Sequence, residues 1–152
     1  MKRKSIPENG PFRYIRKDDI EQPFGNRLKS LNNLELSDFY NYNIENRHVF
    51  VYDFDSRVLC VLVFDDKDDH FYLNLIENNE VYEKECDEVN PAPRLIRYAE
   101  KIAKSLGHKK IRLDSLEQLV PYYAKLGYSS MNKDERHKDY GVVVKMKKLF
   151  GN

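Results

Sequence analysis

Two cysteines, four histidines and one run of aspartates are the residues that most readily suggest chemistry in this 152-residue chain. Cys60 lies within the apolar run Val58–Phe64, which reads as a structural thiol in a buried strand. Cys86 stands among acids, which raise a thiol pKa and reduce its reactivity. Two cysteines make neither a disulfide framework nor a zinc cluster, and a reducing, cytoplasmic setting is expected. His48, His70, His108 and His137 have no ligand spacing to one another, so no metal site is predicted. Asp65-Asp66-Lys67-Asp68-Asp69 lacks the central Gly and closing Glu of a calcium loop and reads as a solvated turn. Lys145, Lys147 and Lys148 read as an exposed strand face.

Charge is balanced in sum and unbalanced in place. There are 26 Lys plus Arg against 25 Asp plus Glu, a formal net charge of +1, which excludes a globally basic nucleic-acid binder. Residues 65–93 hold ten acids and two bases, a net of −8, whereas 94–125 hold eight bases and three acids, a net of +5. The acidic stretch would attract a cationic amine or a basic protein, and the basic stretch an acidic partner. A hydrophobic fraction of 41% and 12% aromatic residues supply a core for one domain. The longest apolar run is far too short to span a bilayer, and no apolar h-region follows Met1-Lys2-Arg3-Lys4, so a soluble chain without a signal peptide is expected.

The elements that must position any site follow from periodicity. Residues 1–11 carry charge, Pro and Gly and read as a flexible tail before a single domain over 12–152. Phe12–Arg16 alternates weakly as a short strand. Phe24, Leu28 and Leu31 have helical spacing, and Ser37 could cap a second short helix. Strands follow over Val49–Phe54, Val58–Phe64 and Phe71–Ile76, joined by polar turns as an antiparallel meander. In the third, Phe71, Leu73 and Leu75 alternate with Tyr72, Asn74 and Ile76.

After a long connection over Glu77–Pro93, Leu95, Ile96, Ala99, Ile102, Ala103 and Leu106 form a half-buried helical stripe. Pro93 suits its first turn and Gly107 its left-handed cap. Ile111-Arg112-Leu113 is a strand. Ser115 and Gln118 have capping-box spacing, so the next helix starts at Ser115 or nearer Pro121, and it ends at Gly127. Two last strands, Tyr128–Met131 and Gly141–Met146, flank a charged loop. The fold class is α/β: a mixed, mostly antiparallel sheet flanked by helices, with a central βαβ unit.

The element order and the stretch Leu95–Tyr128, ending Tyr123-Ala124-Lys125-Leu126-Gly127-Tyr128, resemble the GNAT superfamily of acyl-CoA-dependent N-acetyltransferases. Tyr14–Ile20 is similar to that family's first strand and helix entry, and the resemblance spans about residues 12–149. It implies acetyl transfer from acetyl-CoA, as cosubstrate, to a primary amine of a small molecule or protein. Tyr123 would be the acid that protonates the departing thiolate, and Glu77 a carboxylate base. The backbone of Leu75 and Ile76 would hold the thioester and pantetheine arm. Ser115 falls where relatives carry a CoA-contacting Asn, although capping explains it without a ligand.

The family's pyrophosphate loop corresponds to Asp87-Glu88-Val89-Asn90-Pro91-Ala92, before Arg94 and Leu95. Helix N-terminal amides and the helix dipole favour an anion there. Ala92 fits the last loop position and Asn90 replaces a Gly, while Pro91 removes one N–H and Asp87 stands where a cation or amide is usual. The alternative reading is therefore a GNAT-like domain without CoA binding that serves as a protein-interaction module. A V-shaped split between the third meander strand and the Ile111 strand would mark a cofactor cleft; closure by residues 77–93 would mark the alternative.

Overall fold

The computed structural model describes residues 5–25, 34–45, 47–137 and 141–151. Seven strands form one sheet: β1 (Phe12–Tyr14), β2 (His48–Phe54), β3 (Arg57–Asp66), β4 (Phe71–Asn78), β5 (Lys110–Leu116), β6 (Ser129–His137) and β7 (Gly141–Leu149). Their spatial order is β1-β2-β3-β4-β5-β7-β6. Among the described strands only the β4–β5 pair is parallel, and the helix α3 (Pro91–Ser105) makes its crossover. The other α-helices among the described residues are α1 (Leu36–Ile44), α2 (Glu83–Val89) and α4 (Val120–Lys125). The expected mixed sheet, antiparallel meander and βαβ unit are all present.

The sheet is buried on both faces at its centre. On one side Cys60, Leu62 and Phe64 of β3 pack with Leu95, Ile96 and Ala99 of α3. On the other, Val61 and Val63 join Val49 and Val51 of β2 and Leu36 and Phe39 of α1. The continuous apolar run of β3 is thus explained by burial on two faces. The tight β2–β3 turn uses Asp55 and Ser56, both at positive φ, as a two-residue hairpin requires.

Several expectations are corrected. Residues 5–11 dock rather than hang free: Ile6 is buried in the core and the Pro7 carbonyl accepts a hydrogen bond from the Tyr98 hydroxyl. Helix α1 is opened by Glu35, whose N–H donates to Asp38 Oδ2 at 2.8 Å, so Ser37 is not the cap. The helical spacing at Leu28 and Leu31 falls outside the described residues. The long connection contains a 3-10 turn over Glu80–Tyr82 and then α2. Helix α3 starts at Pro91, two residues before Pro93. The charged stretch after Met131 continues β6 as far as His137.

Candidate active site

The parallel β4–β5 ladder runs through only three pairs, Phe71↔Ile111, Tyr72↔Arg112 and Leu73↔Leu113. The cause lies on the far side of β4. Phe64 of β3 pairs with Leu73 and Val63 with Leu75, which leaves Asn74 as an extra residue in β4. Such a bulge bends its strand and increases local twist. The Asn74 amide nitrogen donates to Asp65 Oδ2, which holds the bulge to β3. The bulge also overturns the simple alternation expected here. Leu73 faces the α3 side, Leu75 packs with the α1-side cluster, and Ile76 returns to the α3 side.

Beyond Leu73 the edge of β4 has no strand partner across the split, while the far edge of β5 continues to pair with β7 through Ser115↔Val144. The divergence opens a V-shaped cleft of about 240 Å³. Leu75, Ile76 and Glu77 line it from β4, Ser115 from β5 and Tyr123 from α4, with Leu119 also in its wall. No residue of 78–93 lines it. Three segments distant in sequence thus bring together five of the residues singled out above.

Tyr123 is 8% exposed and makes edge contacts with Tyr122 and Tyr128 at ring separations of 5.1 and 6.1 Å. Burial first, then Tyr122 and the Glu77 carboxylate, push its pKa well above the usual tyrosine value. Its hydroxyl therefore keeps its proton at neutral pH. Among the described residues that hydroxyl has no hydrogen-bond partner. The hydroxyls of Tyr72 and Tyr128, by contrast, donate to Asp114 and Glu100 at 2.8 Å. Gly127, at φ +100, turns the chain after α4, and Tyr128 then anchors that end through Glu100, which Lys148 also meets at 2.9 Å.

Ser115 is not at a helix start. It is a β5 residue, almost fully buried, whose hydroxyl donates to the Leu116 carbonyl at 2.7 Å. The following helix, α4, begins instead at Val120 with Pro121 in its first turn.

The other four residues lie at the α2–α3 junction, away from the lining of the cleft. Asn90 adopts the left-handed conformation at φ 54, as read from its type, and its N–H donates to the Cys86 carbonyl. Arg94 is exposed, and its Nε donates to the Val89 carbonyl at 2.8 Å. Ala92 is half-buried against the core. Leu95 is fully buried, so its side chain cannot touch a ligand. Because α3 starts at Pro91, both Pro91 and Pro93 fall in its first turn, and Ala92 and Arg94 supply the N–H groups there.

Asn74, the residue that opens the cleft, is not foretold by the alternation of β4. Its one signal was the adjacent apolar pair Leu75-Ile76, which breaks strict alternation. Among the described residues no group of three or more His, Cys, Asp or Glu side chains could hold a metal ion. No helix among them is long and apolar enough to cross a membrane.

This architecture is that of the GNAT acetyltransferases. The chain superposes on Ard1 of Thermoplasma volcanium with a TM-score of 0.67 at 14% identity, over 93% of this chain and 97% of that one. A Bacillus anthracis protein assigned as a streptothricin acetyltransferase, solved in complex with acetyl coenzyme A, gives 0.67 at 13% identity over 92% and 98%. A GNAT family acetyltransferase of Elizabethkingia anophelis, solved with acetyl-CoA bound, gives 0.60 at 9% identity over 81% and 88%. At such identities the likeness shows the fold alone. No protein-family profile and no curated protein matches the chain.

Proposed function

We propose that the chain is an N-acetyltransferase that moves an acetyl group from acetyl-CoA to a primary amine. The observation that carries this reading is the open split beside β4, with the uncommitted, protonated hydroxyl of Tyr123 in its wall. Solved proteins of the same fold hold acetyl-CoA or coenzyme A. The unpaired edge at Leu75 and Ile76 offers backbone donors and acceptors to an extended amide-bearing arm. Acetyl-CoA supplies an activated acyl carbon on a thiol leaving group.

Glu77 draws the cationic amine into the cleft and takes its proton, directly or through water. The amine nitrogen bonds to the acyl carbon as the carbon–sulfur bond breaks, Tyr123 gives its proton to the departing sulfur, and the second proton that the nitrogen sheds on becoming an amide restores the tyrosine through water. Ser115 shapes the β5 wall. At the far end Ala92, Arg94 and the backbone at Asn90 and Leu95 meet the phosphates, with fewer amides than a glycine-rich loop would give. The chain works as a single domain in a reducing cytoplasm, where Cys60 and Cys86 stay free thiols.

One observation favours a second reading. Two prolines in the first turn of α3, beside Asp87 and Glu88, suit an interaction module that has given up CoA. The assay that separates the two is release of free thiol from acetyl-CoA in the presence of primary amines. Release that depends on the amine supports the enzyme; none with any amine, small or peptide-borne, supports the module.

A further inference from the structure

A second hollow of about 180 Å³ adjoins the cleft and shares Tyr72, Leu113 and Asp114 with it. The two differ in charge. No Lys, Arg or His lines the cleft, whereas Arg112, Lys145 and His70 line the hollow.

Arg112 is half-buried in β5, opposite Tyr72 in the parallel ladder. Its Nε is fully buried and donates to nothing, and among the described residues its guanidinium makes no ion pair. Arg13, which is buried, engages both Asp19 and Asp53 at 2.8 Å. A charged donor group left without an acceptor is costly, and because Arg112 lines the hollow, an acceptor entering there would offset that cost.

Neighbouring groups do not satisfy it. Asp114 accepts the Tyr72 hydroxyl and stands opposite Lys145 in the β5–β7 register. His70 Nδ1 lies 2.6 Å from Asp69 Oδ1. A guanidinium fork matches a planar oxyanion in shape as well as charge.

We propose that this hollow is a subsite for an oxyanion on the acceptor, a carboxylate held by Arg112, while the acceptor's amine lies in the cleft near Glu77. This rests on the acetyltransferase reading. Arg112 stands opposite Tyr72 in the ladder, and Glu77 lies five residues further along β4, roughly 16 Å of strand, a reach that the arginine side chain shortens. The acceptor is thus an ω-amine separated from its carboxylate by an extended chain. An α-amine, adjacent to its carboxylate, would not span the two places.

The test compares ε-aminocaproate, hexylamine and aminohexyl phosphate as acceptors, with kcat/KM for each, in the wild type, Arg112→Gln and Arg112→Lys. Wild type should favour ε-aminocaproate over hexylamine by roughly 10-fold or more, the scale of a hydrogen bond to a charged group. Arg112→Gln should bring that ratio near one, and Arg112→Lys, which keeps the charge, should retain part of it. A wild-type ratio near one, or a ratio unchanged in Arg112→Gln, overturns the subsite. Preference for aminohexyl phosphate overturns the carboxylate and assigns a phosphate.

Calorimetric binding of ε-aminocaproate without donor separates this proposal from the reading it rests on. Binding that needs Arg112 but leads to no transfer keeps the subsite and removes the transferase. Equal transfer to all three acceptors keeps the transferase and removes the subsite.

Discussion

Among the buried tyrosines of the α3-side core, Tyr123 is the one that lines the cleft, and its hydroxyl, like that of Tyr52, has no hydrogen-bond partner among the described residues. Tyr98 and Tyr128 are similarly buried, yet each donates to a fixed acceptor, so packing alone accounts for them. A core tyrosine whose hydroxyl ends in a cleft and keeps its proton is suited to give that proton to a leaving group. Tyr123→Phe is expected to lower kcat by roughly 10²-fold or more while leaving the dissociation constant for acetyl-CoA within about twofold, as removal of a general acid would. Equal turnover in steady-state assays would reduce Tyr123 to a packing residue. The raised pKa also fixes a sign. Activity should not fall between about pH 7 and 10 through loss of this proton, because the folded hydroxyl titrates above the ordinary value near 10.

The elements decide where such a residue can act. The bulge at Asn74 splits β4 from β5, and Asn79 pins the chain that leaves β4. Asn79 is fully buried: its Oδ1 accepts from Gly25 and Val81 N–H groups, and its Nδ2 donates to the Pro23 and Val58 carbonyls. Asn79→Ala removes four hydrogen bonds, one buried and three part-buried, and is expected to cost about 2–4 kcal/mol, read as a lower urea midpoint. A loss below about 1 kcal/mol would show that water replaces the side chain.

Pro93→Ala restores an N–H to the first turn of α3 and should tighten acetyl-CoA binding by roughly 2–10-fold, the worth of one hydrogen bond. No change would place the phosphates elsewhere. The strands and α3 were legible because burial imposes periods of two and 3.6 on their side chains. Helix α2 was not, because Cys86 is its one buried residue and leaves no apolar stripe to read. The cleft was legible as residue types in a family's order, Tyr123, Glu77 and Ser115, but not as a shape. A one-residue bulge changes which face Leu75 and Ile76 use without changing their apolar character.

At the scale of the whole molecule, the aromatic content makes stability sensitive to alkali. Burial, the first cause in each case, raises the pKa of Tyr72, Tyr98, Tyr122, Tyr123 and Tyr128. It also pushes the Cys86 thiol up to about 11 and the Cys60 thiol well above its usual value. The unfolded chain releases these protons at ordinary values, near 8.5 for Cys and about 10 for Tyr. As pH rises past those values the unfolded state binds fewer protons than the folded one, so folding weakens. The urea midpoint should therefore drop between about pH 8 and 10.5, and an unchanged midpoint would contradict the burial of these groups.

The same scale frames the central question, since the net charge changes from −8 to +5 at Arg94, beside the helix start where the phosphates would rest. Calorimetric titration of acetyl-CoA into the purified protein tests this most directly. The account predicts saturable binding at one site per chain, with a matching rise in melting temperature. No heat and no thermal shift at millimolar acetyl-CoA would contradict it and leave the fold to a protein-interaction role.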